Sequence, residues 1–198
     1  MITFNNICED KPYQILREKY DEALSANQKN IEAIAISSYS NESKEVNSRF
    51  VNLKFVNNKD FIFFSNYNSP KSQEFISHNQ ITALIFWSSI DFQIRIKANI
   101  KKTSQEFNTS YFASRDNHKN ALAISSEQSN KIASYNDVKK KHLEALNFKD
   151  LDICPSYWGG FTFTPYYFEF WKGHKSRLNQ RAVYEKEKDS WNHFILQP

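Results

Sequence analysis

Cationic and amide side chains placed on or beside strand-like segments are the residues of this chain best suited to chemistry. Arginine can form two parallel hydrogen bonds to phosphate oxygens, lysine supplies a point charge, and glutamine can hydrogen-bond the edge of a planar ring. Any one of these side chains alone is an ordinary surface group. Together they indicate a site that binds phosphate or carbonyl groups through side chains. The set comprises Arg49, Lys54, Lys71, Gln93, Arg95, Arg115, Gln128, Arg177 and Arg181.

Other kinds of site find little support in the sequence. Only three glycines occur, so a glycine-rich phosphate loop cannot be built, and the G-x-S-x-G pattern of a serine nucleophile is absent. The five histidines show no pairing at metal-ligand spacing. Asp150 and Asp152 are interpreted as a loop or helix-end pair and not as paired catalytic carboxylates. We therefore predict no metal site, and two ordinary thiols at Cys8 and Cys154.

Composition and charge describe one compact domain. The chain has 198 residues, of which 40% are hydrophobic, which suits a single core or one subunit of an oligomer. The net charge of +4 arises from 26 basic and 22 acidic residues spread along the chain, so it does not predict nucleic-acid binding. The densest basic run, residues 139–141, is interpreted as a solvated helix face. Because neither a long apolar run nor the blocks of a signal peptide occur, we expect no membrane association and a cytoplasmic location.

The periodicity of apolar residues indicates mostly strands, with helices in two places. Residues 12–27 have apolar side chains at helical spacing, and residues 104–149 are mainly helical in pattern. Polar and apolar side chains alternate over residues 93–100, so one face of that strand is expected to be buried. Strands separated by short turns, with helices in clusters, predict an antiparallel barrel plus helices. Strand-like runs begin at Ile31, Ser48, Asp60, Ile81 and Phe92, and strand-like patterns return from residue 156 onward.

A series of short motifs, in order and evenly spaced from Ala33 onward, resembles the pattern of a known family. One such match would mean little, but a set of matches in the same order and with matching spacing is specific. The motifs are S-R-F-V-N-L-K at 48–54, F-F-S-N-Y at 63–67, S-P-K at 69–71, F-Q-I-R at 92–95, Y-F-A-S-R at 111–115, Q-S at 128–129, W-G-G-F at 158–161, E-F-W-K-G at 169–173 and R-L-N-Q-R at 177–181.

By these motifs the chain resembles the pyridoxamine 5'-phosphate oxidase family. The resemblance implies a mainly β, α+β fold, an antiparallel FMN-binding split β-barrel that forms a homodimer. Residues 1–198 would form one domain, with a leading helical segment at 1–30 and a helical insertion at 104–149. The implied enzyme is a flavin-dependent oxidoreductase of vitamin B6 metabolism, a pyridoxal 5'-phosphate synthase. It would oxidise pyridoxamine 5'-phosphate or pyridoxine 5'-phosphate to pyridoxal 5'-phosphate with O2 and release H2O2.

The resemblance also implies roles for individual residues. Arg177 and Asn179 would form the catalytic pair, and in an extended segment their spacing places both side chains on one face. Because family members build each flavin site from both subunits, a homodimer is implied. The substrate would be bound by Lys54, Tyr111, Arg115, Lys119, Arg177 and Asn179. FMN would be held by Arg49, Phe50, Val51, Asn52, Leu53, Lys54, Phe64, Ser65, Lys71, Gln93, Gln128, Ser129, Trp171 and Arg181.

Several positions depart from the family pattern. Pro70 replaces an arginine that contacts FMN, Phe64 replaces a tyrosine, and Asn179 replaces a histidine. Lys119 stands in place of a serine that binds the substrate phosphate, and residues 120–124 lack the Gly and Trp of the pattern. Two alternatives therefore stay open. One is an oxidase of the same fold that acts on another ring, as in the phenazine branch of the superfamily. The other is a protein that binds FMN or vitamin B6 phosphate without turnover.

Overall fold

Ten strands and five α-helices make up the described part of the chain, residues 1–148 and 150–198 of a computed structural model. The strands are β1 (Thr3–Asn5), β2 (Ala33–Tyr39), β3 (Val46–Asn52), β4 (Phe55–Asn57), β5 (Asp60–Asn66), β6 (Gln80–Trp87), β7 (Phe92–Lys102), β8 (Trp158–Lys172), β9 (Gln180–Glu187) and β10 (Ser190–Leu196). The helices are α1 (Lys11–Ser25), α2 (Pro70–Ser77), α3 (Gln105–Ala113), α4 (Asn117–Ser125) and α5 (Tyr135–Ala145). The last residue of the predicted helical insertion, Lys149, lies outside the described residues.

The strands form one curled sheet that branches at β8. Its order is β1-β4-β5-β8-β7-β6-β2-β3, with β9 beside β8 and β10 beside β9. The first part of β8 pairs with β5 and the last part pairs with β9, which curls the sheet into a half-barrel. Neighbouring strands are antiparallel except β1 and β4, which are parallel. The antiparallel prediction is therefore corrected to a mixed sheet, since the long connection through α1, β2 and β3 allows a parallel return.

The run predicted as one strand from Ser48 to Asn57 is two strands separated by Leu53 and Lys54. At this break the chain exchanges partners, because Leu53 N donates to Glu32 O at 2.9 Å whereas Lys54 N donates to Ile62 O at 2.8 Å. Alternation in the sequence cannot reveal such an exchange, because the backbone remains extended on both sides.

Aromatic side chains fill the core between the sheet and α1. α1 contributes Tyr13, Leu16 and Tyr20, all almost completely buried. Tyr13 packs edge-on against Phe168, with ring centroids 5.2 Å apart. The predicted alternation of β7 is confirmed, since its apolar residues from Phe92 to Ile100 are buried and its polar residues are more exposed. Pro165 lies in the middle of β8, where the β7–β8 register shifts, and irregularities of this kind are where a sheet tolerates proline.

Helices α3, α4 and α5 lie between β7 and β8 in the chain and begin at well-formed caps. Ser104, Asp116 and Ser134 each accept a hydrogen bond from a backbone N–H of the following first turn. α4 and α5 enclose a small core of Ala121 and Ala145 together with Leu151. The basic run of α5, residues 139–141, is exposed as predicted. Among the described residues, none of the helices combines the length and apolar character needed to cross a membrane.

Candidate active site

A cavity of about 760 Å³ opens between the β3–β5 region, the start of α2, and helices α3 and α4. Five of its lining side chains are cationic and, among the described residues, one is acidic. Such a surplus of positive charge suits an anionic ligand. The lining residues are Arg49, Phe50, Val51, Asn52, Lys54, Phe64, Ser65, Pro70, Lys71, Tyr111, Ser114, Arg115, Asp116, Lys119, Gln128, Ser129 and Trp158.

Arg49 on β3 is held by partners on β2 and α2. Its Nη2 lies 2.9 Å from Oε2 of Glu74, a carboxylate that is only 6% exposed. Its Nη1 donates to Ser38 Oγ at 2.5 Å. The direction of the guanidinium is therefore fixed before any ligand arrives, which reduces the entropy lost on binding.

Lys71 lies in the first turn of α2 and is 9% exposed. Its Nζ donates to Ser69 Oγ at 3.1 Å. Burial, and then the nearby charge of Arg49, lower the pKa of Lys71 to about 8, whereas Glu74 acts in the opposite direction. A ligand anion beside Lys71 would stabilise the charged form of this amine.

Three stacked aromatic rings form one wall of the cavity. The ring of Phe64 on β5 lies 4.1 Å from that of Tyr111 and 5.0 Å from that of Trp158, measured between centroids. The Arg115 guanidinium lies over Trp158, with Cζ 4.4 Å from the ring centroid. Arg115 Nη1 is buried and has no hydrogen-bond partner among the described residues. An unpaired buried donor in a residue that lines a cavity is unusual, because nearly all buried polar groups in folded proteins have a hydrogen-bond partner.

Tyr111 is positioned by a polar contact between α3 and β8. The side chain of Asn108, one turn earlier on α3, accepts from Gly160 N at 2.8 Å and donates to Tyr67 Oη at 3.0 Å. A side chain at Gly159 would clash with Tyr67, so the W-G-G-F motif allows this close approach.

Gln128 and Ser129 reach the cavity from the loop between α4 and α5. The Gln128 Oε1 atom accepts from Ser65 Oγ at 3.1 Å and from Asn66 N at 3.2 Å, which ties this loop to the end of β5. Ser129 has a φ of 74°, a left-handed conformation that is unfavourable for serine. Strain of this kind is often found at functional sites.

The remaining predicted site residues do not line this cavity within the monomer. Gln93, Trp171 and Arg181 form one row across β7, β8 and β9, where Gln93 pairs with Trp171 and Trp171 with Arg181. Arg181 Nε donates to buried Glu169 at 2.8 Å, and Arg95 pairs with the same carboxylate. Burial alone would raise the pKa of Glu169, but the hydrogen bond from Arg181 and the charge of Arg95 lower it overall.

Arg177 and Asn179 lie in the loop between β8 and β9. The extended segment predicted for them is wrong, because Arg177 has a φ of 60° and follows a turn. Asn179 Oδ1 accepts from His174 N at 3.1 Å and so closes the loop. Leu53 also lies outside the cavity, since its side chain is completely buried in the core.

Five residues near the cavity are absent from the predicted site. Pro70, Ser114, Asp116 and Trp158 line it, and Glu74 lies behind it. Ser114 and Trp158 fall within the recognised motifs, so their position in those motifs was the available signal. For Glu74 the signal was weaker, an acidic residue one helical turn after Lys71.

The fold and the cavity together define the class of protein, a split-barrel protein with a cationic cavity suited to an anionic ligand. Residues 158–198 match the family model described as the pyridoxine 5'-phosphate oxidase C-terminal dimerisation region. A pyridoxine/pyridoxamine 5'-phosphate oxidase of Hydrogenovibrio crunogenus is 34% identical over 191 residues, which cover 94% of this chain and 88% of the relative. The chain belongs to the pyridoxine/pyridoxamine 5'-phosphate oxidase family, whose members are flavin-dependent oxidoreductases that use FMN.

Two solved structures share the fold. PhzG from Burkholderia lata, in complex with tetrahydrophenazine-1-carboxylic acid, has a TM-score of 0.89 at 22% identity and covers 96% of this chain and 93% of its own. A pyridoxamine 5'-phosphate oxidase-related, FMN binding protein from Nostoc punctiforme has a TM-score of 0.75 at 10% identity. The match covers 92% of this chain and 97% of the Nostoc protein. The comparisons confirm the predicted family, split-barrel fold, enzyme class and flavin cofactor.

Proposed function

We propose that this protein oxidises pyridoxamine 5'-phosphate or pyridoxine 5'-phosphate to pyridoxal 5'-phosphate. Pyridoxine 5'-phosphate and O2 would give the aldehyde and H2O2, and the amine substrate would also consume water and release ammonia. The observation that carries the proposal is the cavity, in which cationic side chains converge beside a wall of stacked aromatic rings.

The end of the cavity near α2 suits the phosphate of FMN. Lys71 is buried there with a neutral hydroxyl as its hydrogen-bond partner, and Arg49 lies in the same lining. No glycine loop is available, so side chains have to supply the positive charge. Ser65 and Gln128, which are already joined to each other, would hydrogen-bond the flavin. Bound FMN supplies a two-electron acceptor that O2 reoxidises with release of H2O2.

A second group of lining residues suits the phosphate of the substrate. Lys54, Arg115 and Lys119 bring three positive charges to the lining, and Tyr111 adds a hydroxyl group. The buried Nη1 of Arg115 would gain a phosphate oxygen as its partner. Asp116 is engaged in capping α4, where it accepts from His118 N at 3.0 Å, so its charge is partly offset by the helix N-terminus.

We propose that a second subunit completes the site and that the functional unit is a homodimer. The description of the matching family model supports this, as do large apolar side chains left exposed in the monomer. Phe50 and Ile195 are 75% and 68% exposed. The row of Gln93, Trp171 and Arg181, and the loop carrying Arg177 and Asn179, would then face the partner's cavity.

In such a dimer, Arg177 would lie against the pyridine ring and orient the substrate, while Asn179 would hydrogen-bond it. The guanidinium can stack on a ring and donate hydrogen bonds at the same time. The asparagine amide does not ionise near neutral pH, so in this chain position 179 would orient the substrate and not act as an acid.

The test is an assay of the purified, FMN-loaded protein with pyridoxamine 5'-phosphate in air, following pyridoxal 5'-phosphate absorbance and peroxide. The control substrate is pyridoxamine, which lacks the phosphate. We expect turnover of the phosphorylated compound and a much lower kcat/KM for the control. Equal kcat/KM for both would contradict the proposed role of the cations. Bound FMN without any turnover would favour the alternative of a non-catalytic binder.

The structural likeness to PhzG keeps a ring substrate without phosphate as the second candidate. The number of cationic side chains in the lining favours the phosphorylated substrate, because a single carboxylate needs fewer of them. Oxidation of a reduced phenazine carboxylate by this protein, with no activity on vitamin B6 phosphates, would reverse the order of the two candidates.

A further inference from the structure

A buried carboxylate lies directly behind the cationic wall of the cavity. Glu74 on α2 is 6% exposed and accepts hydrogen bonds from Ser38 on β2, from Asn47 Nδ2 at 2.9 Å and from Arg49 Nη2 at 2.9 Å. A negative charge beside an anion-binding cavity repels the ligand, and its burial is costly unless it is well paired. Its presence there calls for a role that outweighs the repulsion.

The charges around Lys71 indicate that role. The charge of Arg49 on β3 disfavours a protonated Lys71, whereas Glu74, on the same helix as Lys71, favours it. The other charged groups that line this cavity are Lys54, Arg115, Asp116 and Lys119, which come from the chain after β3, from the connection between α3 and α4, and from α4. Because five cationic side chains share one lining, the lysine that is buried most deeply is the one most easily deprotonated.

We propose that Glu74 is a positioning residue for anion binding, which holds the Arg49 guanidinium at the cavity wall and places a negative charge one helical turn from Lys71. This inference rests on the proposed function, because it concerns how the same site retains a phosphorylated ligand. Glu74 does not touch the ligand. It acts through the two cations, so its removal changes the pH at which the site works.

A purely structural role is the competing explanation, since Glu74 also ties α2 to β2 and β3. Substitution Glu74→Gln distinguishes the structural role from the electrostatic one, because glutamine keeps the size and much of the hydrogen bonding of glutamate but removes its charge. The direct readout is the titration of Lys71 in the ligand-free protein, followed by NMR of ¹³C-labelled lysine side chains. The second readout is the pH at which FMN affinity falls by half, measured by quenching of flavin fluorescence, with riboflavin as the probe that lacks a phosphate.

We expect Glu74→Gln to move both midpoints to lower pH by about one unit. Riboflavin affinity should not show the shift. The matched control is Asn47→Ala, which removes a neutral hydrogen bond to the same carboxylate and should leave both midpoints unchanged. If Glu74→Gln does not fold, Arg49→Gln is compared with the double variant Arg49→Gln/Glu74→Gln, which leaves no unpaired buried charge, and the double variant should have the lower Lys71 midpoint.

Unchanged Lys71 midpoints in the folded variants would overturn the inference, and so would equal shifts in Asn47→Ala. This failure can be distinguished from failure of the proposed function. If the wild-type protein binds neither FMN nor vitamin B6 phosphates at any pH, the proposed function fails and the inference fails with it. If the wild type binds FMN and only the Glu74 dependence is missing, the inference alone is wrong.

Discussion

The Arg115 guanidinium lies over the ring of Trp158, with Cζ 4.4 Å from the centroid, while its buried Nη1 has no hydrogen-bond partner among the described residues. Stacking fixes the plane of the guanidinium and leaves Nη1 unpaired. A buried donor left unpaired costs about 1–3 kcal/mol. An anion that paired with Nη1 would recover this cost, so we expect Arg115 to contribute more to affinity than an exposed arginine would.

The first prediction is that Arg115→Lys weakens binding of pyridoxal 5'-phosphate about tenfold or more, because lysine can neither stack in plane nor offer two parallel donors. FMN affinity should remain close to that of the wild type. Equilibrium dialysis of both ligands measures the difference. Arg17→Lys, which changes an exposed arginine on α1 paired with Asp21, is the control. Equal loss of both ligands would point to unfolding and not to a lost contact.

The second prediction concerns pH and Lys71, whose pKa is lowered to about 8. Below this pH the free protein carries the charge that a phosphate needs. As pH rises above about 8 the free protein loses that proton, so binding then requires proton uptake and FMN affinity falls. Titrations of FMN fluorescence from pH 6 to pH 10 test this expectation. Lys71→Met should remove most of the dependence, and a wild-type affinity that is constant across the range would contradict the prediction.

The third prediction is that Pro70→Arg tightens FMN binding about tenfold, as expected for one added charge-assisted contact. Pro70 lines the cavity at the start of α2, so an arginine there can reach a phosphate in the same space. Pro70→Gln is the matched control, since it also removes the proline ring but adds no charge. Similar affinities for the two variants would show that the existing cations already saturate the phosphate.

The fourth prediction is that Arg177→Lys lowers kcat/KM strongly while FMN content stays equal to that of the wild type. Arginine and lysine are equally disfavoured at the φ of 60° found at position 177. The substitution therefore leaves the backbone strain of the loop unchanged and changes only the side chain. Steady-state kinetics with pyridoxamine 5'-phosphate and the flavin absorbance of the purified variant are the two measurements. Unchanged kcat/KM would remove Arg177 from the site.

The fifth prediction concerns the homodimer. Ile195 on β10 is 68% exposed in the monomer, and Ile195→Glu should dissociate the dimer and weaken FMN binding together. An obligate interface of about 2,000 Å² or more does not tolerate a buried unpaired charge. Light scattering gives the mass and flavin fluorescence gives the affinity. Leu24→Glu, at a position on α1 that is 42% exposed, is the control that should leave both unchanged.

The sequence predicts the strands of the half-barrel well where one face is buried, as the alternation in β7 shows. It does not predict the break at Leu53 and Lys54, because an exchange of strand partners leaves no mark on local pattern. The turn at Arg177 is also missed, since the left-handed conformation there is adopted by a residue that does not favour it.

Some residues of the candidate site can be predicted from short segments of sequence, whereas others depend on contacts between distant segments. Residues such as Lys71 and Tyr111 are recognisable within short motifs. The role of Glu74 depends on the position of α2 beside β2 and β3, and only the fold brings those elements together.

The pairing of β5 with β8 has a consequence for the way the chain folds. Tyr67 and Gly160, which hydrogen-bond to each other at the end of this pair, are 93 positions apart in the chain. Hairpins such as β6–β7 and β9–β10 can close locally, but the core cannot form until the ends of this long loop meet, and such contacts make folding slow. Until then the phenylalanines of β5 and β8 remain available to other chains. Recovery of native protein after dilution from denaturant should therefore fall as the protein concentration during refolding rises.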